Sequence, residues 1–166
     1  MHNILSNREI KLIGFDADDT LWKNEDLFFD AQNKIKNILK QKSNKFDEDL
    51  LKTEKLNLDI YGYGIKGFIL SLIETSVKTS DATINIKSIN QIIKLGKRML
   101  KAPVNLIEGV DKILSTLSKK YDLILITKGD LLDQERKIEK SKLEKYFKYK
   151  KIVSEKNKQT YRNILD

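Results

Sequence analysis

A chain of 166 residues has room for one domain, or for a small core carrying an inserted subdomain. With no cysteine it can form neither disulfides nor thiolate metal sites. Its net charge of +8 comes from lysines mixed with Glu and Asp along the chain, which reads as solvated helix faces rather than a nucleic-acid surface. No apolar run approaches the roughly 18 residues of a membrane span, and Met1 to Glu9 lacks the apolar stretch of a signal peptide. A cytoplasmic protein with no membrane and no nucleic-acid partner is the expectation.

The apolar run Ile10, Leu12, Ile13, Phe15 reads as a buried first strand, and it ends in Asp16-Ala17-Asp18-Asp19-Thr20-Leu21-Trp22. Helical spacing follows at 26–42, through Phe28, Ala31, Ile35, Ile38 and Leu39. It returns at 46–58 with Phe46, Leu50 and Leu51. Tyr61-Gly62-Tyr63-Gly64 breaks that helix, and a substrate-facing loop is the other reading of this stretch. Ile65, Phe68, Ile69, Leu72, Ile73 and Val77 form a third helical stripe, ended by Thr79-Ser80-Asp81. A fourth helix is predicted near 86–101 with Ile89, Ile92, Ile93 and Leu100 on one face, and Pro103 sits just past its stop.

From residue 105 the pattern changes. Gly109 precedes a short amphipathic helix carrying Val110, Ile113, Leu114 and Leu117. Asp122 to Thr127 is a continuous apolar run, the signature of a strand covered on both faces, with Lys128-Gly129-Asp130 as its turn. A helix is expected over 131–142, a third strand over 151–154, and a final helix from about Asn157. Strands and helices thus alternate around an insertion of about 80 residues, which implies a parallel sheet with right-handed crossovers. In such sheets ligands bind at the carboxyl ends of the strands. The Asp cluster, Thr127 and the segment after Val153 all fall at such ends.

Three carboxylates crowded at a strand end repel one another and are costly to hold together without a cation. Asp16 can attack phosphorus and form an aspartyl-phosphate. Asp18, two residues on, can protonate the leaving alkoxide and then deprotonate water. Thr127 can hydrogen-bond a phosphate oxygen, and a lysine near the third strand can neutralise charge on the transferring group. Magnesium, which takes a few carboxylates plus phosphate and waters, would relieve the repulsion at Asp16 and Asp18. Asp19 reads equally as a site carboxylate or a turn residue. Thr20 reads as structural, and Trp22 as a hinge or core residue. Gly129 serves the turn, and His2 is too near the terminus to be a catalytic candidate.

These motifs resemble the haloacid dehalogenase (HAD) superfamily of phosphohydrolases. Asp16, Asp18 and Thr20, with Leu21, match its first motif, Asp-x-Asp-x-Thr. Thr127 in Leu125-Ile126-Thr127-Lys128-Gly129 matches the second, and Lys156 in Ser154-Glu155-Lys156 is the best match to the third, with Lys158 as its competitor. The insertion is similar to the all-helical type 1 cap. The resemblance implies an α/β fold, a Rossmann-like parallel sheet of about three core strands with an inserted helical cap. The core takes 1–22 and 104–166, and the cap 23–103. It implies catalytic Asp16 and Asp18, phosphate-binding Thr127, Lys128 and Lys156, and Mg2+ at Asp16 and Asp18, in part through the Asp18 main-chain carbonyl. The implied reaction is hydrolysis of a small phosphorylated metabolite. A phosphomutase and a catalytically impaired phosphate-binding protein are the alternatives. Dehalogenation goes with loss of the second Asp of the first motif, and Asp18 is present.

The chain departs from the pattern in one respect. The superfamily's fourth motif, one or two acidic residues on a further strand, is expected shortly after Leu165, and the sequence given stops at Asp166. Asp166, at a helix end, is a poor substitute. The strand bearing Asp16 is then expected to form an open edge, which a homodimer would cover.

Overall fold

The computed structural model describes residues 10–40, 45–80 and 84–165. The expectations that fall on His2, Asp81 and Asp166 lie outside the described residues.

Three short strands form a parallel sheet in the order β1-β2-β3, with β1 at Leu12–Phe15, β2 at Asp122–Lys128 and β3 at Tyr149–Val153. Between β1 and β2 run five helices: α1 Glu25–Ile38, α2 Lys45–Tyr61, α3 Ile65–Thr79, α4 Ile86–Lys101 and α5 Val110–Leu117. Helix α6, Leu131–Ser141, and a 3-10 turn at Glu144–Tyr146 join β2 to β3, and α7, Lys158–Leu165, follows β3. The α/β class with a helical insertion is therefore as the sequence implied.

The central strand β2 is buried along Leu123 to Thr127, as its unbroken apolar run requires. Leu123 and Leu125 join a cluster with Leu114 of α5 and Ile138 of α6. On the other face of the sheet Ile124 and Ile126 lie against Gly14 of β1, where a Cβ would meet them at ordinary contact distances of 3.7 and 3.8 Å. Strand β1 is only half-buried, and Ile10 lies outside it and is 65% exposed. The expectation of a buried first strand is corrected here, while that of an edge strand agrees: among the described residues β1 pairs with β2 alone, so one neighbour covers it rather than two. Strand β3 begins at Tyr149, two residues earlier than its apolar core suggests, because Ile124 and Leu125 pair with Tyr149 and Lys150.

The four longer helices gather around a second apolar cluster that includes Ala31, Ile35, Leu50, Phe68, Leu72 and Ile92. The expected stripes of α1 and α3 face this cluster, with Ala31, Ile35, Ile65, Phe68 and Leu72 buried, whereas in α4 and α2 single residues of the expected faces turn outward. Helix α4 buries Ser88, Ile92, Leu95, Gly96 and Met99, and turns Ile93 outward. The cause is close approach of α3. A side chain at Gly96 would place its Cβ 2.7 Å from Cγ1 of Ile69, so only glycine lets the two helices meet here. In α2, Leu50 is buried while Leu51, one residue on, is 54% exposed. Adjacent helical residues differ by 100° in direction, so both cannot face the cluster.

Because the sheet is parallel, the carboxyl ends of the strands share one edge. Phe15 pairs with Leu125, and Thr127 with Ile152, so Asp16, Thr127 and the segment after Val153 come to the same end of the sheet.

Candidate functional site

Asp16 immediately follows β1 and is exposed. Its Oδ1 accepts the main-chain N–H of Ala17 at 2.7 Å and also the ammonium of Lys156, which arrives from beyond β3. Lys156 is thus the lysine brought to Asp16, while Lys158 opens α7. Oδ2 of Asp16 has no hydrogen-bond partner among the described residues.

The chain then turns tightly. The N–H groups of Thr20 and Leu21 donate to the carbonyl of Ala17 at 3.1 and 2.7 Å, which aims Asp18 back across the strand ends. The indole Nε1 of Trp22, itself fully buried, donates to Oδ1 of Asp18 at 2.7 Å. Lys137 of α6 reaches both carboxylate oxygens, at 2.7 and 2.8 Å, and Nε2 of Gln134 donates to Oδ2 at 2.8 Å. Asp18 is therefore fixed by two side chains of one helix and by the tryptophan of its own turn. Trp22 is both a core residue and a direct partner of the candidate acid.

Asp19 is turned away from this cluster. Its backbone is left-handed, with φ of 56°, and its Oδ1 accepts the N–H groups of Asn24 and Glu25 at 2.9 and 3.1 Å. It caps the start of α1, where a negative charge is favourable. Of the two readings of Asp19, the geometry gives the turn role. Thr20 is exposed, with only its main chain in the turn.

Thr127 is buried, and its hydroxyl donates to Oε1 of Gln134 at 3.2 Å. Gln134 thereby links Thr127 to Asp18 through the two ends of one amide. Lys128 lies 3.7 Å from the centre of the Tyr63 ring and donates to Glu155 at 3.1 Å. Burial works against its charge, yet the bonds to Tyr63 and Glu155 outweigh this and raise its pKa. Asp130 caps α6 by accepting the N–H of Asp133 at 3.0 Å, and its other oxygen pairs with Lys66 of α3 at 2.7 Å.

Gln134 and Lys137 were not among the residues singled out from the sequence. They follow β2 on a helix whose polar residues look solvent-facing. A usable signal was present: Asp133, Gln134 and Lys137 share one face of the first turns, and the first turn of a helix after a core strand lies at the strand ends. Asp133 is buried, and burial raises its carboxyl pKa, with Lys137, 3.9 Å away, opposing and Asp18 reinforcing.

A cavity of about 250 Å³ opens beside Asp18. Asn24, Lys128, Gln134 and Lys137 line its sheet side, and Glu54, Asn57, Tyr61, Tyr63 and Ser71 its helical side. The Tyr61–Gly64 stretch both breaks the helix and faces this cavity. Gly62 and Gly64 have φ of 68° and 117°, values that a side chain would strain.

The donor set sets limits on a metal. Among the described residues no group of three or more acidic or histidine side chains converges. Both carboxylate oxygens of Asp18 are committed to donors, whereas Asp16 keeps one oxygen uncommitted. An all-protein cation cage does not fit these residues. A magnesium that keeps its waters and shares a substrate phosphate does fit, since this ion commonly uses only one or two carboxylates.

A parallel α/β sheet with Asp16 and Asp18 at the first strand end, Thr127 and Lys156 at the next two, and a helical insertion defines a class of protein. The chain belongs to the haloacid dehalogenase-like hydrolase superfamily. It also matches, over residues 56–159, the family described as uncharacterized protein conserved in archaea (DUF2209), and belongs to it.

A haloacid dehalogenase-like family hydrolase from Xanthomonas campestris is similar to it at 43% identity and a TM-score of 0.89, covering 94% of this chain and 66% of that one. The HAD-hydrolase YfnB from Bacillus subtilis, solved bound to magnesium, shares the fold at 15% identity and TM-score 0.58, covering 87% of this chain and 64% of its own. A 2-haloacid dehalogenase from Pseudomonas syringae shares it at 21% identity and TM-score 0.54, with coverage of 87% and 64%. The chain thus spans just under two thirds of the length of these solved relatives. No protein of curated function matches it. No described helix is long and apolar enough to cross a membrane.

Proposed function

We propose that this chain is a magnesium-assisted hydrolase of small phosphate monoesters, with Asp16 as nucleophile. The observation that carries the reading is the ion pair between Asp16 and Lys156, residues 140 positions apart, beside an Asp18 already aimed into a cavity. A carboxylate oxygen of Asp16 bonds to phosphorus as the bond from phosphorus to the leaving oxygen breaks. The leaving oxygen takes a proton from Asp18, whose carboxylate Lys137 holds in place at 2.7 Å. Water then attacks phosphorus and gives a proton to Asp18 as the bond between Asp16 and phosphorus breaks, releasing phosphate. Lys156 and Lys128 offset the charge on the transferring group, and Thr127 can turn its hydroxyl from Gln134 to a phosphate oxygen.

Magnesium at the uncommitted oxygen of Asp16 and the main-chain carbonyl of Asp18 would supply positive charge to the phosphoryl group. The magnesium-bound superfamily member from Bacillus subtilis supports that choice of ion.

The test is phosphate release from p-nitrophenyl phosphate with magnesium. The wild-type chain should turn over, and Asp16→Asn should reduce release to background. Undiminished activity in Asp16→Asn would exclude the mechanism.

That no three acidic side chains converge into a metal-holding group, among the described residues, favours one other reading: a protein that binds a phosphate ligand without turning it over. It predicts phosphate binding by the wild-type chain with no release at any magnesium concentration.

A further inference from the structure

The cavity beside Asp18 has two walls of different character. Its sheet-side charges are all paired: Asp18 with Lys137, Lys128 with Glu155, and Asp133 with Lys137. On the helical side stands Glu54, and among the described residues it has no cation and no hydrogen-bond donor. Its position follows from helix geometry. Glu54, Asn57, Leu58 and Tyr61 of α2 lie at i, i+3, i+4 and i+7, so one face of the helix presents all four to the cavity. No lysine or arginine stands at the positions three or four residues away, where a helical partner would sit. One turn along the same face Asn57 is already committed, donating to Ser71 at 3.2 Å and Glu74 at 2.8 Å. Glu54 is therefore the one charged side chain lining the cavity, among the described residues, with neither an ion-pair partner nor a hydrogen bond. Burial raises its pKa, with nothing opposing. A carboxyl kept half-buried and unpaired is costly unless something supplies a donor.

Resting on the reading of the chain as a phosphomonoesterase, we propose that Glu54 is the specificity residue for the leaving group. The substrate carries a hydrogen-bond donor, an amine or a hydroxyl, on the carbon chain beyond its phosphate, and carries no second anionic group there. The phosphate sits toward Asp16, and the leaving group extends past Asp18 into the cavity. A volume of about 250 Å³ admits a chain of a few heavy atoms rather than a nucleotide. A carboxylate or second phosphate in that position would meet Glu54 with like charge.

Steady-state hydrolysis of O-phosphoethanolamine, glycerol phosphate and phosphoglycolate by the wild-type chain and by Glu54→Gln and Glu54→Ala tests this, with p-nitrophenyl phosphate as the reference. The wild type should favour the amine or the hydroxyl substrate over phosphoglycolate, and which of the two is preferred identifies the donor. Both variants should lose roughly 10- to 100-fold in kcat/KM on that substrate, chiefly through KM, the size of one hydrogen bond to a charged group. They should improve on phosphoglycolate, measured relative to the reference, which offers no donor. A wild type that prefers phosphoglycolate, or variants that keep the wild-type order, would overturn the proposal.

Calorimetric binding of the same three esters separates this from the phosphatase reading. Glu54-dependent binding without turnover defeats the hydrolase and leaves the pocket assignment standing. Binding of all three esters that is the same in wild type and both variants defeats the pocket assignment.

Discussion

The sheet side and the helical side of the cavity solve the same problem differently. On the sheet side every charged group is locked to another: Asp16 to Lys156, Asp18 to Lys137, Lys128 to Glu155. These groups come from the ends of all three strands and from α6, and the parallel register fixes their positions. On the helical side Glu54 is held in place by its helix but left, among the described residues, without a partner. A fixed, saturated wall suits a reaction whose geometry does not change from substrate to substrate. An unsaturated wall suits the part of a ligand that does vary. The difference teaches where to look for chemistry and where for selectivity.

The largest way to break this contrast acts on the sheet side. Lys156→Ala should lower kcat for p-nitrophenyl phosphate by about 10² to 10³, as when one charge-stabilising donor is removed, while KM changes little. A loss confined to KM would make Lys156 a binding group only.

Packing tests whether the two halves also differ as folding units. Leu114→Ala in the sheet-side cluster and Leu72→Ala in the helical cluster each remove a fully buried side chain and should cost about 2–5 kcal/mol in urea unfolding. If the helical cluster unfolds by itself, Leu72→Ala will split the transition into two steps while Leu114→Ala lowers the step that carries the near-ultraviolet signal of Trp22. A single transition in both variants would mean that the contacts across the cavity, Lys66 to Asp130 among them, couple the halves.

Lys137→Gln sharpens the account of Asp18. It removes the cation that touches both oxygens of the candidate acid, and should lower kcat by roughly tenfold, the order of one charged hydrogen bond. Lys137→Arg, which keeps the cation, should lose less; equal losses in the two variants would assign Lys137 to scaffolding.

The smallest effect concerns Glu54. Its folded pKa lies above its ordinary value of 4.5, so in the folded state it holds a proton that the unfolded chain gives up. Between 4.5 and the raised value the folded state binds more protons, and stability therefore falls as pH rises through that window. Unfolding free energies of wild type and Glu54→Gln measured across that range should diverge, the variant being relatively more stable on the high-pH side. Parallel curves would mean that Glu54 is solvated.

Much of the sheet side was legible in the sequence. Asp16, Asp18, Thr127 and Lys156 stand at strand ends that apolar runs announce, and a parallel sheet leaves few ways to arrange those ends. Gln134 and Lys137 were not read because α6 is rich in charge, and a lysine facing a buried carboxylate has the same local pattern as one facing water. The faces of the inserted helices were read less well. Whether Ile92 or Ile93, and Leu50 or Leu51, turns inward depends on how closely α3 and α4 approach at Gly96, a tertiary fact that periodicity does not contain. Glu54 was passed over for the same reason, although a lone acid within the stripe of Leu50, Asn57, Leu58 and Tyr61 was a visible irregularity.

The most direct test of the central claim is to catch the covalent intermediate. The chain is mixed with a phosphate monoester and magnesium, quenched in acid during turnover, digested and analysed by mass spectrometry. The account predicts one phosphoryl group, on the peptide that contains Asp16 and on Asp16 itself, absent from Asp16→Asn. Turnover with Asp16 unmodified, or a phosphoryl group on another side chain, would contradict it.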